Sequence, residues 1–301
     1  ADGFLDNAFV MQGLGSYPIT LEGSTAQKAN YLPGVLSGER IAAFALTEPE
    51  AGSDVAALQC RARRDGEHYV LDGEKIYITN TGVAHHYVVF ATVDPQQGHR
   101  GISAFVVEPG DPGFRMQPTD VIAPHPIGRL FFDGCRIPAH RRLGEEGIGF
   151  KLAMRTLDVF RTTVGGAALG MARRALDESL EHALTRIQFG APLFDKQQIM
   201  AYLAEGATEL DAARLLVFRG AYAKDTQKRR VSKEVAMGKL YATETAQKII
   251  DRAVQIHGGA GVSVGSVVER LYREIRPLRI YEGASEVQKV VIGTALRRER
   301  T

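Results

Sequence analysis

Ala45-Leu46-Thr47-Glu48-Pro49-Glu50-Ala51-Gly52-Ser53-Asp54 reads as a strand that ends in a Pro/Gly turn dense with hydroxyls and acids. Such a turn offers backbone N–H and Ser/Thr donors to a bound polar ring or phosphate, and it suits an ordinary hairpin loop equally well. The neighbouring stretches repeat the strand signature. Arg40–Thr47, His68–Leu71, Lys75–Thr79, Tyr87–Val93 and Ile102–Glu108 are rich in Val, Ile, Tyr, Phe and Thr. Asp65-Gly66, Asp72-Gly73, Thr81-Gly82, Pro109-Gly110 and Asp133-Gly134 separate them as turn signals. This spacing predicts a compact, barrel-like β domain or two stacked sheets over residues 39–143.

On either side of that zone the period is helical. Residues 1–38 read as helix broken by turns, too short for a domain of their own. Leu5, Phe9 and Gln12-Gly13-Leu14 lie on one face, Ser24-Thr25-Ala26-Gln27 is a helix start and Pro33-Gly34 a stop. From Gly144 onward, Leu157, Phe160, Val164, Ala167 and Met171 recur at three- and four-residue steps. After Gly190-Ala191-Pro192, Asp195-Lys196-Gln197-Gln198 starts a helix as a capping-box variant, with Ile199, Leu203, Ala207, Leu210 and Val217 inward. Ser232 opens another, carrying Ala236, Leu240, Thr243, Ile250 and Val254, and a last helix carries Val287, Val290, Val291 and Ala295. Long helices joined by short turns predict an antiparallel bundle of four or five over residues 144–301. The fold class is therefore α+β.

The 301 residues carry 45% hydrophobic and 24% charged side chains, as an ordinary globular protein does. Lys and Arg number 37 against 35 Asp and Glu, so the formal charge is +2 and gives no footprint for nucleic acid or an anionic membrane. The basic runs Arg61-Ala62-Arg63-Arg64, Lys228-Arg229-Arg230 and Arg297-Arg298-Glu299-Arg300 are short and read as solvated faces or helix ends. Cys60 and Cys135 have no partner spacing for a disulfide framework or zinc. That cysteine usage leads to the expectation of an intracellular chain; no apolar run has transmembrane length and no signal peptide is visible. The abrupt start without methionine suggests a fragment or a processed product.

Further segments carry chemistry. Lys75-Ile76-Tyr77-Ile78-Thr79-Asn80 places an aromatic and a threonine two apart, a face that could stack on a flat heterocycle or simply pack in a sheet. In Arg186-Ile187-Gln188-Phe189-Gly190, Arg186 could pair with phosphate or cap a helix. Gln255-Ile256-His257-Gly258-Gly259-Ala260-Gly261 would let backbone approach a pyrophosphate, and it would serve as a helix C-cap too. Arg279-Ile280-Tyr281-Glu282-Gly283-Ala284-Ser285-Glu286-Val287-Gln288 holds a lone carboxylate in a tight turn, where partial burial suits a general base and a solvated glutamate is the plainer reading. His257 lacks partners for a metal, and His85-His86 read as loop residues. No metal site, Walker loop or strand–GxGxxG–helix unit is expected.

In this order, these segments resemble the acyl-CoA dehydrogenase family over nearly the whole chain. Thr47-Glu48-Pro49-Glu50-Ala51-Gly52-Ser53-Asp54 and Tyr281-Glu282-Gly283 are the strongest marks. The resemblance implies an N-terminal helical domain, mostly absent here, then a central β domain and a C-terminal four-helix domain. It implies FAD as cofactor, an acyl-CoA substrate, an electron-transferring flavoprotein as acceptor and a homotetramer. Phe44 to Ser53, including Leu46, Thr47 and Gly52, would line the flavin, with Ser53 also touching substrate. Tyr77, Ile78 and Thr79 would sit against its ring system. Arg186, Gln188, Phe189 and Gln197 would reach the ADP half, and Gln255, Gly258 and Gly259 would reach it from a neighbouring subunit. Ala284 and Glu286 would also stand near the flavin.

By the same resemblance Asp158 and Arg161 sit by the thioester arm, paired with one another, and Tyr281 and Gly283 touch substrate. Glu282 matches the base. The implied reaction is α,β-dehydrogenation to a trans-2-enoyl-CoA, as in fatty acid β-oxidation. The rivals are an oxidase on the same fold that passes electrons to oxygen, and a truncated non-catalytic homologue acting as a binding module. The compartment implied is the bacterial cytoplasm or the mitochondrial matrix. Tyr77 stands where the family often has tryptophan, Ala284 where threonine is common and Glu50 where glycine is frequent. These departures bear on substrate range and flavin affinity.

Overall fold

A computed structural model describes residues 3–227 and 230–300, with side chains from residue 8. Leu5, as a face residue, and the Lys228-Arg229 part of the second basic run lie outside what is described. The architecture is α+β and divides into two compact units, residues 7–157 and residues 158–300 with residues 3–6, the breaks falling inside two helices.

In the first unit, α1 (Gly3–Glu22) runs unbroken through Pro18. The expected break falls after it, at Gly23-Ser24, and Phe9 faces outward instead of into the core. Val10, Met11, Leu14 and Ile19 are buried instead. Gly15 permits a close approach to the sheet, since a Cβ there would lie 2.6 Å from the Ala43 nitrogen. α2 (Thr25–Ser37) starts as expected: Ser24 and Gln27 form a capping box. It passes Pro33-Gly34 and stops at Gly38, whose φ of 79° provides the left-handed C-cap. Pro33 does not end the helix, because it falls well before that cap.

The sheet comprises β1 (Ala42–Ala45), β2 (Arg61–Asp65), β3 (His68–Thr79), β4 (His86–Thr92), β5 (Ile102–Val107), β6 (Phe114–Pro118), β7 (Ile127–Pro138) and β8 (Arg142–Leu143). Its strand order is β6-β7-β3-β2-β4-β5-β8, with β1 parallel to β4. It curls over its own apolar face. The Tyr87 and Phe114 rings, on β4 and β6, are remote along that order yet 5.4 Å apart. Residues of β1 to β7 share one buried cluster that includes Tyr69, Leu71, Phe105, Leu130 and Ile137.

Two expected turns prove to be one bulge. Asp72-Gly73 lies inside β3 and Asp133-Gly134 inside β7, where the register shifts between Leu71 and Gly73. The Asp72 carboxylate accepts the Gly134 N–H at 2.8 Å, and a Cβ on Gly73 would lie 2.8 Å from the Cys60 Cα. Glycine here lets the strand continue through a bulge where its composition signals a turn. His85-His86 are not loop residues as a pair, because His86 begins β4 and is buried. The first strand is only Ala42–Ala45; Gln12 of α1 caps its start, accepting the Ala42 N–H at 2.7 Å.

The second unit holds α3 (Gly149–Thr185, from Asp158 on), the hairpin β9 (Ile187–Gln188) and β10 (Ala191–Pro192), α4 (Gln197–Thr226), α5 (Ser232–His257), α6 (Val267–Ile275) and α7 (Ser285–Arg298). Val164, Met171, Leu210, Val217, Ile249, Ile250 and Leu271 pack as its core. Gly165 serves helix packing: a Cβ there would sit 2.9 Å from Val217. The capping box expected at Asp195 is absent, because Asp195 is taken into a 3₁₀ turn and the cap position falls on Lys196. On α7 the buried side chains are Ser285 and Gln288, while Val290 is exposed. No helix among the described residues is long and apolar enough to cross a membrane.

Candidate active site

In the β unit the Thr47–Asp54 loop is held from within. Glu48, buried, accepts the Gln59 and Cys60 backbone N–H groups and the Lys75 ammonium, the last at 2.6 Å. Lys75 is itself fully buried and donates to the Leu46 carbonyl at 2.9 Å. A buried ion pair is tolerated when its other polar atoms find partners; here both Glu48 oxygens accept and Lys75 donates to two acceptors. Neither residue was singled out from sequence. The available signals were an acid inside a Pro/Gly turn and a lysine at an inward strand position.

The same loop is tied to β3. Ile76 N–H donates to the Thr47 carbonyl at 2.9 Å, beside a second register shift between Lys75 and Ile78. At that bulge Tyr77 has a φ of 54° and its ring is 61% exposed. Ile78 points into the core and Thr79 is half-buried. Gly52 and Ser53 are exposed on the loop. Phe44, packed on Phe90 at 4.9 Å between ring centres, and Leu46 are buried, so these two and Ile78 can offer a ligand only backbone. The structure thus joins an exposed flat ring to a loop of hydroxyl and N–H donors.

In the helical unit Glu282 and Gly283 form a turn with successive positive φ values of 52° and 93°. For glutamate this left-handed backbone costs about 1–3 kcal/mol, and neighbouring structure has to enforce it. Side chains of α3, α5 and α7 do so. Arg161 donates to the Glu282 carbonyl at 3.1 Å, and Gln288 to the same oxygen at 3.2 Å. Gln288 and Lys239 donate to the Gly283 carbonyl at 2.8 and 2.9 Å. Arg161 pairs with Asp158 at 2.7 Å, as expected, and Asp158 also accepts the Ser232 hydroxyl at 2.8 Å.

Glu244 of α5 brackets the turn. It takes Arg279 on one side at 2.9 Å and the Ser285 hydroxyl on the other. Those hydrogen bonds hold its carboxyl below the usual range against the opposing effect of burial. Glu282 itself is half-buried, as are Tyr281 and Ala284, and Glu286 is exposed on the first turn of α7. Lys239, Gln288 and Glu244 were not singled out from sequence. They come from distant helices, and nothing local marks them.

A second locus lies at the far ends of α3 and α5. The His182 and His257 rings stack at 4.3 Å, joining the two helix ends. Arg186 and Gln197 are exposed, and Gln188 is half-buried. Phe189 has a φ of 52° at the hairpin tip and is 95% exposed. Gln255, Gly258 and Gly259 are exposed beside the α5 terminus, where Gly258 ends the helix with a φ of 60°. The two segments read as ADP contacts therefore share one end of one subunit's bundle.

Two family profiles match the chain: "Acyl-CoA dehydrogenase, middle domain" over residues 43–135 and "Acyl-CoA dehydrogenase, C-terminal domain" over residues 147–297. A relative named acryloyl-CoA reductase (NADH), from Anaerotignum propionicum, is 44% identical over 90% of this chain and 70% of its own length. The mitochondrial short-chain specific acyl-CoA dehydrogenase of Rattus norvegicus is 43% identical over 93% of this chain and 69% of its own. The structure of butyryl-CoA dehydrogenase from Megasphaera elsdenii superposes with a TM-score of 0.94 at 39% identity, covering 98% of this chain and 78% of that one.

Proposed function

The chain belongs to the acyl-CoA dehydrogenase family, which is FAD-dependent, and from that premise we propose that it desaturates an acyl-CoA thioester to the trans-2-enoyl-CoA with Glu282 as the α-proton base. The observation that carries this reading is the Glu282 turn. A glutamate held at a φ of 52° by Arg161, Lys239 and Gln288 is fixed in place at a conformational cost that a solvated surface glutamate has no reason to bear. In this reading Glu282 accepts the α-proton, and its own backbone N–H donates to the thioester oxygen as enolate character builds. One such donor is worth roughly 3 kcal/mol of barrier.

The residues present fit FAD. The exposed Tyr77 ring offers a stacking face, and Thr47, Ser53 and the Gly52 backbone offer donors on a loop bonded to the same strand. Bound FAD supplies the acceptor for the β-hydrogen, a role no side chain can fill. Arg186, Gln188, Phe189 and Gln197 would take the ADP half, and Gln255, Gly258 and Gly259 would reach that half from a neighbouring subunit. Asp158 and Arg161 would stand by the thioester arm, with Tyr281 and Gly283 against the substrate. Ala284 and Glu286 would flank the flavin. An electron-transferring flavoprotein would accept the electrons, and a homotetramer would be the working assembly.

The experiment compares the FAD-loaded protein with Glu282→Gln. The variant is expected to keep its flavin spectrum and its affinity for acyl-CoA, while substrate-driven bleaching slows by roughly a thousandfold. Bleaching at the unaltered rate would remove Glu282 as the base. The relative named as a reductase makes direction a second question, answered by offering both saturated and 2-enoyl thioesters to the same protein.

A further inference from the structure

Lys239 is almost wholly buried in the first third of α5, and its ammonium donates to the Gly283 carbonyl at 2.9 Å. Burying an ammonium costs several kcal/mol unless its charge is used. Holding that carbonyl does not require a charge. Gln288, a neutral donor, already reaches the same oxygen at 2.8 Å. Arg161, the other cation at the turn, is engaged by Asp158 at 2.7 Å. What Lys239 adds beyond a hydrogen bond is a positive charge held on the turn at the residue next to Glu282.

We propose that Lys239 is the positioning residue for Glu282: it holds the base-bearing turn through the Gly283 carbonyl, and its charge sets how basic the Glu282 carboxylate is. The kinetic part of this inference rests on Glu282 being the base.

The groups acting on Lys239 come from each surrounding element: Glu282 on the turn, Arg161 on α3, Glu244 on α5 and Glu286 on α7. Burial pulls the ammonium down to about 8, and Glu282 is the first of the charges that oppose that fall. The attraction is mutual, so the same ammonium favours the ionised form of Glu282. A base must be deprotonated to act. Removing the cation therefore raises the pH at which Glu282 becomes competent and moves the acid limb of the rate upward.

The test reads Glu282 directly. Its carboxyl band is isolated as the infrared difference between each protein and the same protein carrying Glu282→Gln, and is followed across pH without substrate. In Lys239→Met the titration midpoint is expected to rise by about one pH unit. Lys239→Gln keeps a donor to Gly283 and loses the charge, so it should rise as well, while Lys239→Arg should stay near the unsubstituted protein. The acid limb of flavin bleaching should move by the same interval, a roughly tenfold loss of rate below the limb.

Unchanged midpoints in Lys239→Met and Lys239→Gln would overturn the proposal. Should Lys239→Met not accumulate as folded flavoprotein, equal midpoints in Lys239→Gln and Lys239→Arg would overturn it too. The infrared result stands whether or not Glu282 is catalytic. Bleaching that survives Glu282→Gln would instead remove the base assignment and leave the electrostatic coupling intact.

Discussion

A glutamate at φ 52° followed by a glycine at 93° does not hold that shape alone. Glycine is required at the second position for two reasons: its backbone is left-handed, and a Cβ there would lie 2.5 Å from the Gln288 amide nitrogen. The strain at Glu282 thus depends on its neighbours. His86 shows the opposite case, a titratable group that the fold keeps out of water without partners. It is buried beside Tyr31, ring centres 5.0 Å apart, and neither ring nitrogen is hydrogen-bonded among the described residues. Burial, with Arg40 and His85 acting in the same sense, holds it down at about 4, below the ordinary value of 6.5. The depressed value fixes the sign. Above pH 6.5 the ring is neutral whether the chain is folded or unfolded; between 6.5 and 4 only the unfolded chain takes the proton. Stability is therefore complete above pH 6.5 and falls as pH drops toward 4, by on the order of 3 kcal/mol. Denaturant unfolding at pH 7, 6, 5 and 4 should show a shallower acid loss in His86→Leu than in the unsubstituted chain. Parallel losses would show that another group carries the acid sensitivity.

At the scale of elements, the Thr47–Asp54 loop depends on one buried pair. Removing only Lys75 leaves Glu48 charged and enclosed. Lys75→Met is expected to destabilise the β unit by about 3–5 kcal/mol, while Glu48→Gln with Lys75→Met together should cost less than Lys75→Met alone. Chemical denaturation and flavin retention check this, and a double substitution as damaging as the sum of the singles would deny the coupling. The sequence made some elements legible for local reasons. The Ser24–Gln27 capping box is a contiguous motif, and it stands where it was read. The marks at Thr47–Asp54, Tyr77 and Glu282 are also contiguous. β3 and β7 were not legible as single strands, because Asp72-Gly73 and Asp133-Gly134 carry turn composition. Only their meeting across the ladder shows a bulge. Lys75, Lys239 and Glu244 were invisible for the converse reason. Each is an ordinary charged residue in its own segment and gains its role from a partner far along the chain.

At the scale of the whole molecule, the question is what covers the outer face of α4. Leu215, Phe218 and Tyr222 fall on one stripe of that helix and are 70%, 61% and 69% exposed. A formal charge of +2 offers little repulsion against self-association. Exposed apolar side chains grouped in this way mark an interaction surface more often than a solvated one. If this stripe is a subunit contact of the proposed tetramer, breaking it costs assembly and not the fold of the bundle. Phe218→Glu should therefore leave far-ultraviolet dichroism unchanged and lower the mass seen by light scattering from a tetramer to a smaller species. If the Gln255–Gly259 segment serves a neighbour's ADP half, FAD should also dissociate more readily from the dissociated variant. An unaltered tetramer in Phe218→Glu would move the interface away from α4. A monomer in the unsubstituted protein at micromolar concentration would remove the tetramer altogether.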